Sequence, residues 1–276
     1  MIAIVTDLET RMTSDPNTAR YIHGTSPDEQ SRLSALNRLT NRSFVEFLEV
    51  EAGMRVLEVG SGLGILAVDV ATTAKGASIV GVERSQNQID AAHRAPNVNY
   101  VNGDAQQLEF SDASFDLTYS RYLLEHLLEP ACALREMRRV TRRNGRVVSC
   151  ENDISIVRLD PPCPSFNKVW SAFQTYQRSL GGNPRIGTSL YRLFREAGFR
   201  EVVLSVQPEV HRHGSSDFEA WIGNLIDNIR GVQIELVETG LCNKESISLA
   251  IRELETLMGN SDASSWFVWN RAVAVC

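Results

Sequence analysis

VLEVGSGLG, residues 56–64, is the stretch that decides the fold of this chain. Its apolar first half is typical of a short buried strand, and its three glycines are typical of a tight turn. A helical pattern over residues 63–75 and a second apolar run over 78–83 follow. Strand, turn, helix and strand in this order form a βαβ unit, whose two strands lie parallel in one sheet. The sequence therefore predicts an α/β protein.

Two carboxylates beside this unit indicate the kind of ligand. Glu83 ends the second strand, about 20 residues beyond the glycine loop, where a carboxylate suits the two hydroxyls of a ribose. Glu58 stands just before the first glycine, where its charge would repel a pyrophosphate and attract a cation. Ile65 also departs from the G-x-G-x-x-G spacing of dinucleotide sites. The pattern favours a ribose-containing cation over a dinucleotide, and it disfavours the reading of both acids as ordinary strand ends.

The stretch resembles the first motif, (D/E)-x-G-x-G-x-G, of the class I S-adenosylmethionine (SAM)-dependent methyltransferases. SAM has no phosphate and carries an ammonium and a sulfonium. SRYLLEHL, residues 120–127, resembles a loop and helix of the ubiquinone-biosynthesis-like branch of that family, which acts on small molecules. The resemblance covers roughly residues 50–276. It implies SAM as cofactor and S-adenosylhomocysteine (SAH) as product.

The resemblance also implies an architecture. We expect a Rossmann-like sheet of seven strands, with the last strand antiparallel beside the fifth. Residues 1–50 would form an N-terminal helical lid, and residues 51–276 the SAM-binding domain, with cap insertions at about 160–188 and 217–258. Four further elements are predicted: strands at 146–150, 201–206 and 265–275, and a helix at 85–95. The turn Asn144-Gly145 is expected just before the strand at 146–150.

The cofactor residues are assigned through the same resemblance. Glu58 would hold the amino group of SAM, Glu83 would accept its ribose hydroxyls, and Arg84 would lie over its adenine. Asp104 would accept the adenine N6 hydrogen beside the Ala105 amide, although a simple turn acid remains an alternative for Asp104. The other residues expected at the cofactor are Tyr21 as a lid, Gly60, Ser61, Gly62, Gly64, Gln88, Ser120 and Arg121.

Aromatic residues dominate the predicted caps. Two interpretations stay open for them, because they either form the core of the cap or line a pocket for a hydrophobic substrate. No unambiguous base appears, and Tyr21 and His126 are the catalytic candidates. The aromatic residues are Phe166, Trp170, Phe173, Tyr176, Phe218 and Trp221, of which the first four are the candidate substrate contacts.

These features favour a methyltransferase of specialised metabolism. The expected reaction is C-methylation of a prenyl chain on an indole alkaloid, with a cyclisation to follow, because an alkene needs no base before it attacks and aromatic faces tolerate a cation. O- or N-methylation of another natural product is the alternative. A Rossmann-like binding or regulatory protein without catalysis is disfavoured by the complete cofactor motif.

Composition excludes other classes of function. The net charge is −6 and the six arginines between residues 135 and 146 are typical of a solvated helix face, so nucleic acid is an unlikely partner. No apolar run reaches the length of about 18 residues that a membrane span needs, and no secretory signal opens the sequence. Five unpaired cysteines indicate a cytoplasmic protein.

His211 and His213 are expected in a solvated turn rather than at a metal. The leader, residues 1–24, is expected to exchange between protomers of a homo-oligomer.

Overall fold

A computed structural model describes residues 27–276, except for the side chains of 27–31, 33–35 and 38. Eight strands lie in this part of the chain and form one mixed sheet. In chain order they are β1 (Arg55–Val59), β2 (Ser78–Glu83), β3 (Val98–Asn102), β4 (Phe115–Arg121), β5 (Thr141–Glu151), β6 (Arg158–Asp160), β7 (Val202–Arg212) and β8 (Ser264–Val275).

The sheet has a parallel half and an antiparallel edge. The strands β3, β2, β1, β4 and β5 lie side by side in that order and are all parallel. The last strand, β8, runs antiparallel to β5 along one side and to β7 along its other side. The short strand β6 extends the β5 side of β8. The predicted α/β fold with an antiparallel last strand beside the fifth is confirmed.

Three local predictions were wrong. The described sheet has eight strands rather than seven, because residues 158–160 pair with the far end of β8. The expected turn at Asn144 lies inside β5, where it forms an irregularity in the pairing with β4 instead of a strand boundary. The strand predicted at 201–206 continues to Arg212, since each of its residues pairs with β8. Edge pairing is a tertiary effect that local patterns do not encode.

Nine α-helices of the described residues cover the sheet and the carboxyl ends of its parallel strands. The third of them is shorter than the predicted 85–95, because Ala92 already has extended backbone. The helices are α1 (Pro27–Leu48), α2 (Ile65–Thr73), α3 (Gln86–Ala91), α4 (Pro130–Val140), α5 (Pro164–Ser179), α6 (Leu190–Glu196), α7 (Phe218–Gly231), α8 (Gln233–Glu238) and α9 (Lys244–Met258).

The core lies on both faces of the sheet, as the near-continuous apolar strands require. Val56 of β1 points into the layer formed by α1, α2 and the cap helices, whereas Leu57 points into the layer formed by α4 and α6. Both side chains are fully buried. Burying an aliphatic side chain of this size contributes about 1.5–3 kcal/mol to folding. The two layers hold the parallel strands rigidly beneath the site.

The cap consists of α5, α7, α8 and α9. The Glu253 carboxylate of α9 accepts the Phe166 amide at the start of α5, at 2.8 Å. Trp221 of α7 donates its indole N–H to the Ser265 hydroxyl of β8, at 2.7 Å. Arg32 of α1 donates to the Asn224 side chain of α7, at 2.8 Å. These bonds fix the cap between the N-terminal helix and the antiparallel edge of the sheet.

Candidate active site

A cavity of about 920 Å³ opens at the carboxyl ends of the parallel strands. Its inner half is built from the glycine loop and the residues after β2, β3 and β4, and its outer half is built from the cap. The carboxyl ends of such strands, where the chain order reverses between β1 and β4, are the usual ligand site of open α/β sheets. Its volume matches a pocket for a whole small molecule.

The glycine loop is held in a conformation that only glycine adopts easily. Gly60, Gly62 and Gly64 have φ angles of 78°, 51° and 69°. Gly60 and Ser61 donate their amides to the Val82 carbonyl at 2.8 and 2.9 Å, which turns the loop back over β2.

Gly60, Ser61 and Gly62 line the cavity, but Gly64 does not. A Cβ at Gly64 would lie 1.9 Å from the Tyr100 hydroxyl. The third glycine is therefore required both by its left-handed backbone and by the packing of Tyr100.

Glu83 is fixed by the backbone around it. Its two carboxylate oxygens accept the Gly62 amide at 2.9 Å and the Ser85 amide at 2.8 Å. A carboxylate has about four acceptor positions, so each oxygen keeps one for a ligand. Glu83 lines the cavity, and its position suits the ribose hydroxyls for which it was predicted.

Glu58 is a buried carboxyl at the floor of the cavity. It is 4% exposed, and its Oε2 has no hydrogen-bond partner among the described residues. Burial raises the pKa of Glu58 to about 8, although the nearby Arg121 opposes the shift. A buried acceptor without a donor is costly unless a ligand supplies one. The amino group of SAM is such a donor, so the site fits this cofactor.

The residues at the end of β4 divide into a packing residue and a cavity residue. Ser120 is fully buried and bonds to the Ser149 hydroxyl at 2.7 Å, and it does not line the cavity. Arg121 lines the cavity and donates to the side chains of Asn37 and Asn41 of α1. The structure therefore places Arg121, and not Ser120, where it can face a cofactor.

The residues expected at the adenine line one side of the cavity. Arg84, Gln88, Asp104 and Ala105 all border it. Asp104 accepts the Gln106 amide at 2.8 Å, which closes a turn after β3 and fixes the carboxylate. Asp104 is thus both a turn acid and a cavity residue, and the two readings of it are compatible.

The predicted aromatic residues divide between core and cavity. Trp170, Phe173, Tyr176 and Trp221 line the cavity, whereas Phe166 and Phe218 are fully buried and do not. The Trp170 and Phe173 rings stack with centroids 4.9 Å apart. The candidate substrate contact at Phe166 packs against Trp170 from behind, at 5.3 Å.

Three further aromatic cavity residues were not predicted. Tyr122 follows β4, and Phe267 and Trp269 lie on β8. The Tyr122 and Trp269 rings are 4.8 Å apart. Phe267 and Trp269 are two residues apart in a strand, so their side chains lie on the same face of it. The alternation of side chains along a strand could therefore have predicted that they lie together. Only the pairing of β8 with β5 and β7 places that face at the cavity.

A polar cluster around Glu125 was also missed. Glu125 is 5% exposed and lines the cavity. Its oxygens accept the side-chain amides of Asn152, just after β5, and Gln177, on α5, both at 2.9 Å. The His126 Nε2 lies 3.7 Å from the Glu125 Oε1. Burial and the Glu125 charge raise the pKa of the neighbouring Glu151 to about 8. A clue was the position of Asn152 after a parallel strand, where ligand sites form.

The other candidate residues lie elsewhere. Tyr21 lies outside the described residues. His211 belongs to β7, is buried and stacks on Trp221 at 5.4 Å, so the expectation of a solvated turn there was wrong. Between residues 27 and 276, no group of three His, Cys, Asp or Glu side chains is arranged to bind a metal ion. No helix in that range is both long and apolar enough to cross a membrane.

Comparison with known proteins agrees with this site. A family model described as a methyltransferase domain matches residues 57–149. The O-methyltransferase rstn1 of Aspergillus nomiae is 32% identical over 183 residues, which cover 64% of this chain and 77% of that protein. The O-methyltransferase resE of Aspergillus sclerotiorum is 30% identical over 181 residues, which cover 63% and 65% of the two chains.

A solved structure shows the same fold. It is a candidate methyltransferase of an antibiotic biosynthesis pathway from Anabaena variabilis, with a TM-score of 0.59 and 16% identity over 86% of this chain and 96% of that one. The chain belongs to the class I SAM-dependent methyltransferases, and its cofactor is SAM. The alignments span about half to two thirds of the length of the first curated relatives.

Proposed function

We propose that this protein methylates a carbon of a prenyl chain on an indole alkaloid, in specialised metabolism, and that a cyclisation follows. The proposal rests on the overall similarity of the sequence to the teleocidin-pathway enzyme, which C-methylates a geranyl chain on an indole alkaloid and triggers its cyclisation. The observation that carries it is the shape of the cavity. One continuous space joins the cofactor loops to a wall of aromatic side chains.

When bound, SAM would supply an electrophilic methyl group to the π electrons of the alkene and would leave as SAH. The chain contributes position and surroundings. Glu58 would hold the amino group of the cofactor, and Glu83 would hold its ribose hydroxyls. The glycine loop would let the backbone approach the cofactor closely. Holding the methyl donor and the acceptor in line can supply a large part of the rate enhancement of a methyl transfer.

The aromatic wall serves the substrate. Trp170, Phe173, Trp221 and Trp269 present apolar ring surface to the cavity. Their π faces stabilise positive charge by up to about 2 kcal/mol per ring when the cation is desolvated. A cation that forms on a prenyl chain is therefore protected until it reacts within the substrate.

The test uses 3-geranylindole and an O-methylation probe of similar size, 4-geranylphenol, each with methyl-labelled SAM. We expect label on a carbon of the geranyl chain. We also expect a rate of SAH formation that changes little between about pH 6.5 and 9, because no base titrates before the alkene attacks. Label on the phenol oxygen with a steep basic limb, and an untouched prenyl chain, would contradict the proposal.

O-methylation is the second candidate. It is supported by the names of the two Aspergillus relatives and by a carboxylate and an imidazole at the cavity, Glu125 and His126, which could take the proton of a hydroxyl group. The same pair of probes separates the two reactions. Both probes carry a geranyl chain, but only 4-geranylphenol carries a hydroxyl group, so the position of the label identifies the acceptor.

A further inference from the structure

Glu125 is a buried carboxylate at the substrate side of the cavity. Five carboxylates of the described residues line the cavity. Glu58, Glu83 and Asp104 stand at the ends of β1, β2 and β3, which form the cofactor half, and Glu235 lies on the cap helix α8. Glu125 instead bonds to Gln177 on the cap helix α5. It therefore faces the half of the cavity that the methyl acceptor would occupy.

The charge of Glu125 is balanced by amide groups. Asn152 and Gln177 each donate one N–H to it, and no lysine or arginine among the described residues forms a salt bridge with it. Neutral donors hold a carboxylate in place without supplying the full positive charge that an ion pair would. Such a group attracts an incoming cation in a medium of low dielectric constant.

The position of Gln177 places this carboxylate beside the aromatic wall. Gln177, Phe173 and Trp170 are spaced by four and three residues on α5, so the three side chains share one face of the helix. All three line the cavity. A cation held against the Phe173 and Trp170 rings would consequently lie close to the Glu125 carboxylate.

We propose that Glu125 is a catalytic residue, the base that removes a proton from the methylated substrate cation after its cyclisation. This inference rests on the proposed function. A C–H bond next to the cationic carbon breaks, its electron pair forms a new C=C bond, and the proton goes to a Glu125 oxygen. The substrate loses one proton and its positive charge, and the carboxylate becomes a neutral carboxyl group.

His126 gives this proton a way out. Its Nε2 lies 3.7 Å from the Glu125 Oε1, and its side chain is 17% exposed. A neutral imidazole accepts a proton near neutral pH and can release it to water. At 3.7 Å the two groups are not hydrogen-bonded, so a relay of the proton through His126 requires the imidazole to move towards Glu125.

The test compares the wild-type chain with Glu125→Gln, using SAM and 3-geranylindole. The variant should still form SAH and bind SAH with unchanged affinity. Its products should shift, by a several-fold increase in water-captured or isomeric alkenes measured by mass spectrometry, because the cation loses its proton less selectively. Glu129→Gln, the same change on an exposed residue of the same segment, is the control.

Glu125→Asp keeps the carboxylate but moves it back by one methylene, and it should partly restore the wild-type products. If Glu125→Gln does not fold, this variant decides the question. An unchanged product ratio in the folded variant would overturn the inference and leave the proposed function intact. If the wild-type protein forms no methylated 3-geranylindole, both fall.

Discussion

At the scale of single residues, Glu58 shows how a binding group is kept at a cost in stability. Burial raises its pKa to about 8, above the ordinary value of 4.5. Between these two pH values the folded protein holds a proton that the unfolded chain has released. The free energy of unfolding therefore decreases as the pH rises from about 4.5 to about 8.

Glu58→Gln should remove this part of the pH dependence. We expect the variant without SAM to be more stable than the wild type at pH 8, on the order of a few kcal/mol, and nearly equal to it at pH 5. Urea unfolding at the two pH values measures the difference, with the exposed Glu46→Gln as control. A wild-type curve as flat as that of the variant would show that the Glu58 carboxyl is ionised in the fold.

A second prediction at this scale concerns Glu83. Glu83→Ala should weaken SAH binding by about 1.5–3 kcal/mol, because the ribose hydroxyls lose a charged acceptor. Calorimetric titration measures the dissociation constant, and Glu109→Ala, an exposed carboxylate after β3, serves as the comparison. If the dissociation constant does not change, the ribose is held by other residues.

At the scale of elements, the helix α1 is tied to the site by Arg121. The Arg121 guanidinium donates to Asn37 and Asn41 of α1 and lies over the Phe44 ring at 5.5 Å. The N-terminal helix therefore does more than cover the domain. It closes one wall of the cavity and fixes a cavity arginine.

Arg121→Met should loosen this helix. We expect a loss of about 1–3 kcal/mol in the free energy of unfolding, since the side-chain oxygens of the buried Asn41 and the half-buried Asn37 lose their donor. Amide hydrogen exchange should increase mainly in α1. Arg42→Met is the matched control, because Arg42 forms an exposed ion pair with Glu46 that contributes little. Equal effects of both changes would mean that the helix is held by apolar packing alone.

The leader, residues 1–24, lies outside the described residues. We expect it to close over the cofactor through Tyr21. Deleting residues 1–24 should leave a cooperatively folded protein with much lower turnover, because both core layers of the sheet are formed by residues between 36 and 274. Circular dichroism and SAH formation measure the two properties. Full activity of the shortened chain would contradict the role of Tyr21.

At the scale of the whole molecule, we expect a homo-oligomer whose leaders, residues 1–24, exchange between protomers. Light scattering should give a mass above that of one chain, and the mass should decrease when residues 1–24 are deleted. Mixing this deletion variant with Glu83→Ala should restore activity, because the intact leader of one protomer would cover the intact site of the other. No restoration would argue that each leader covers its own site.

The sequence by itself determined the βαβ unit, the cofactor class and most residues of the inner half of the cavity, with Gly64 and Ser120 as exceptions. These features are local. Glycine turns depend on backbone conformation within a few residues, and Glu58, Glu83 and Asp104 stand at strand ends that a parallel sheet brings to one edge. A continuous motif therefore suffices to predict them.

Only the tertiary structure decided the outer half. Glu125, Asn152 and Gln177 meet although Gln177 is 52 residues from Glu125 in the chain. Trp170 and Phe166 share a helix, yet one lines the cavity and the other is core. Gly64 is a glycine in part because Tyr100, from a different strand, fills the space beside it. Contacts between distant elements depend on how the layers pack, and no periodicity within one element records which partner it meets.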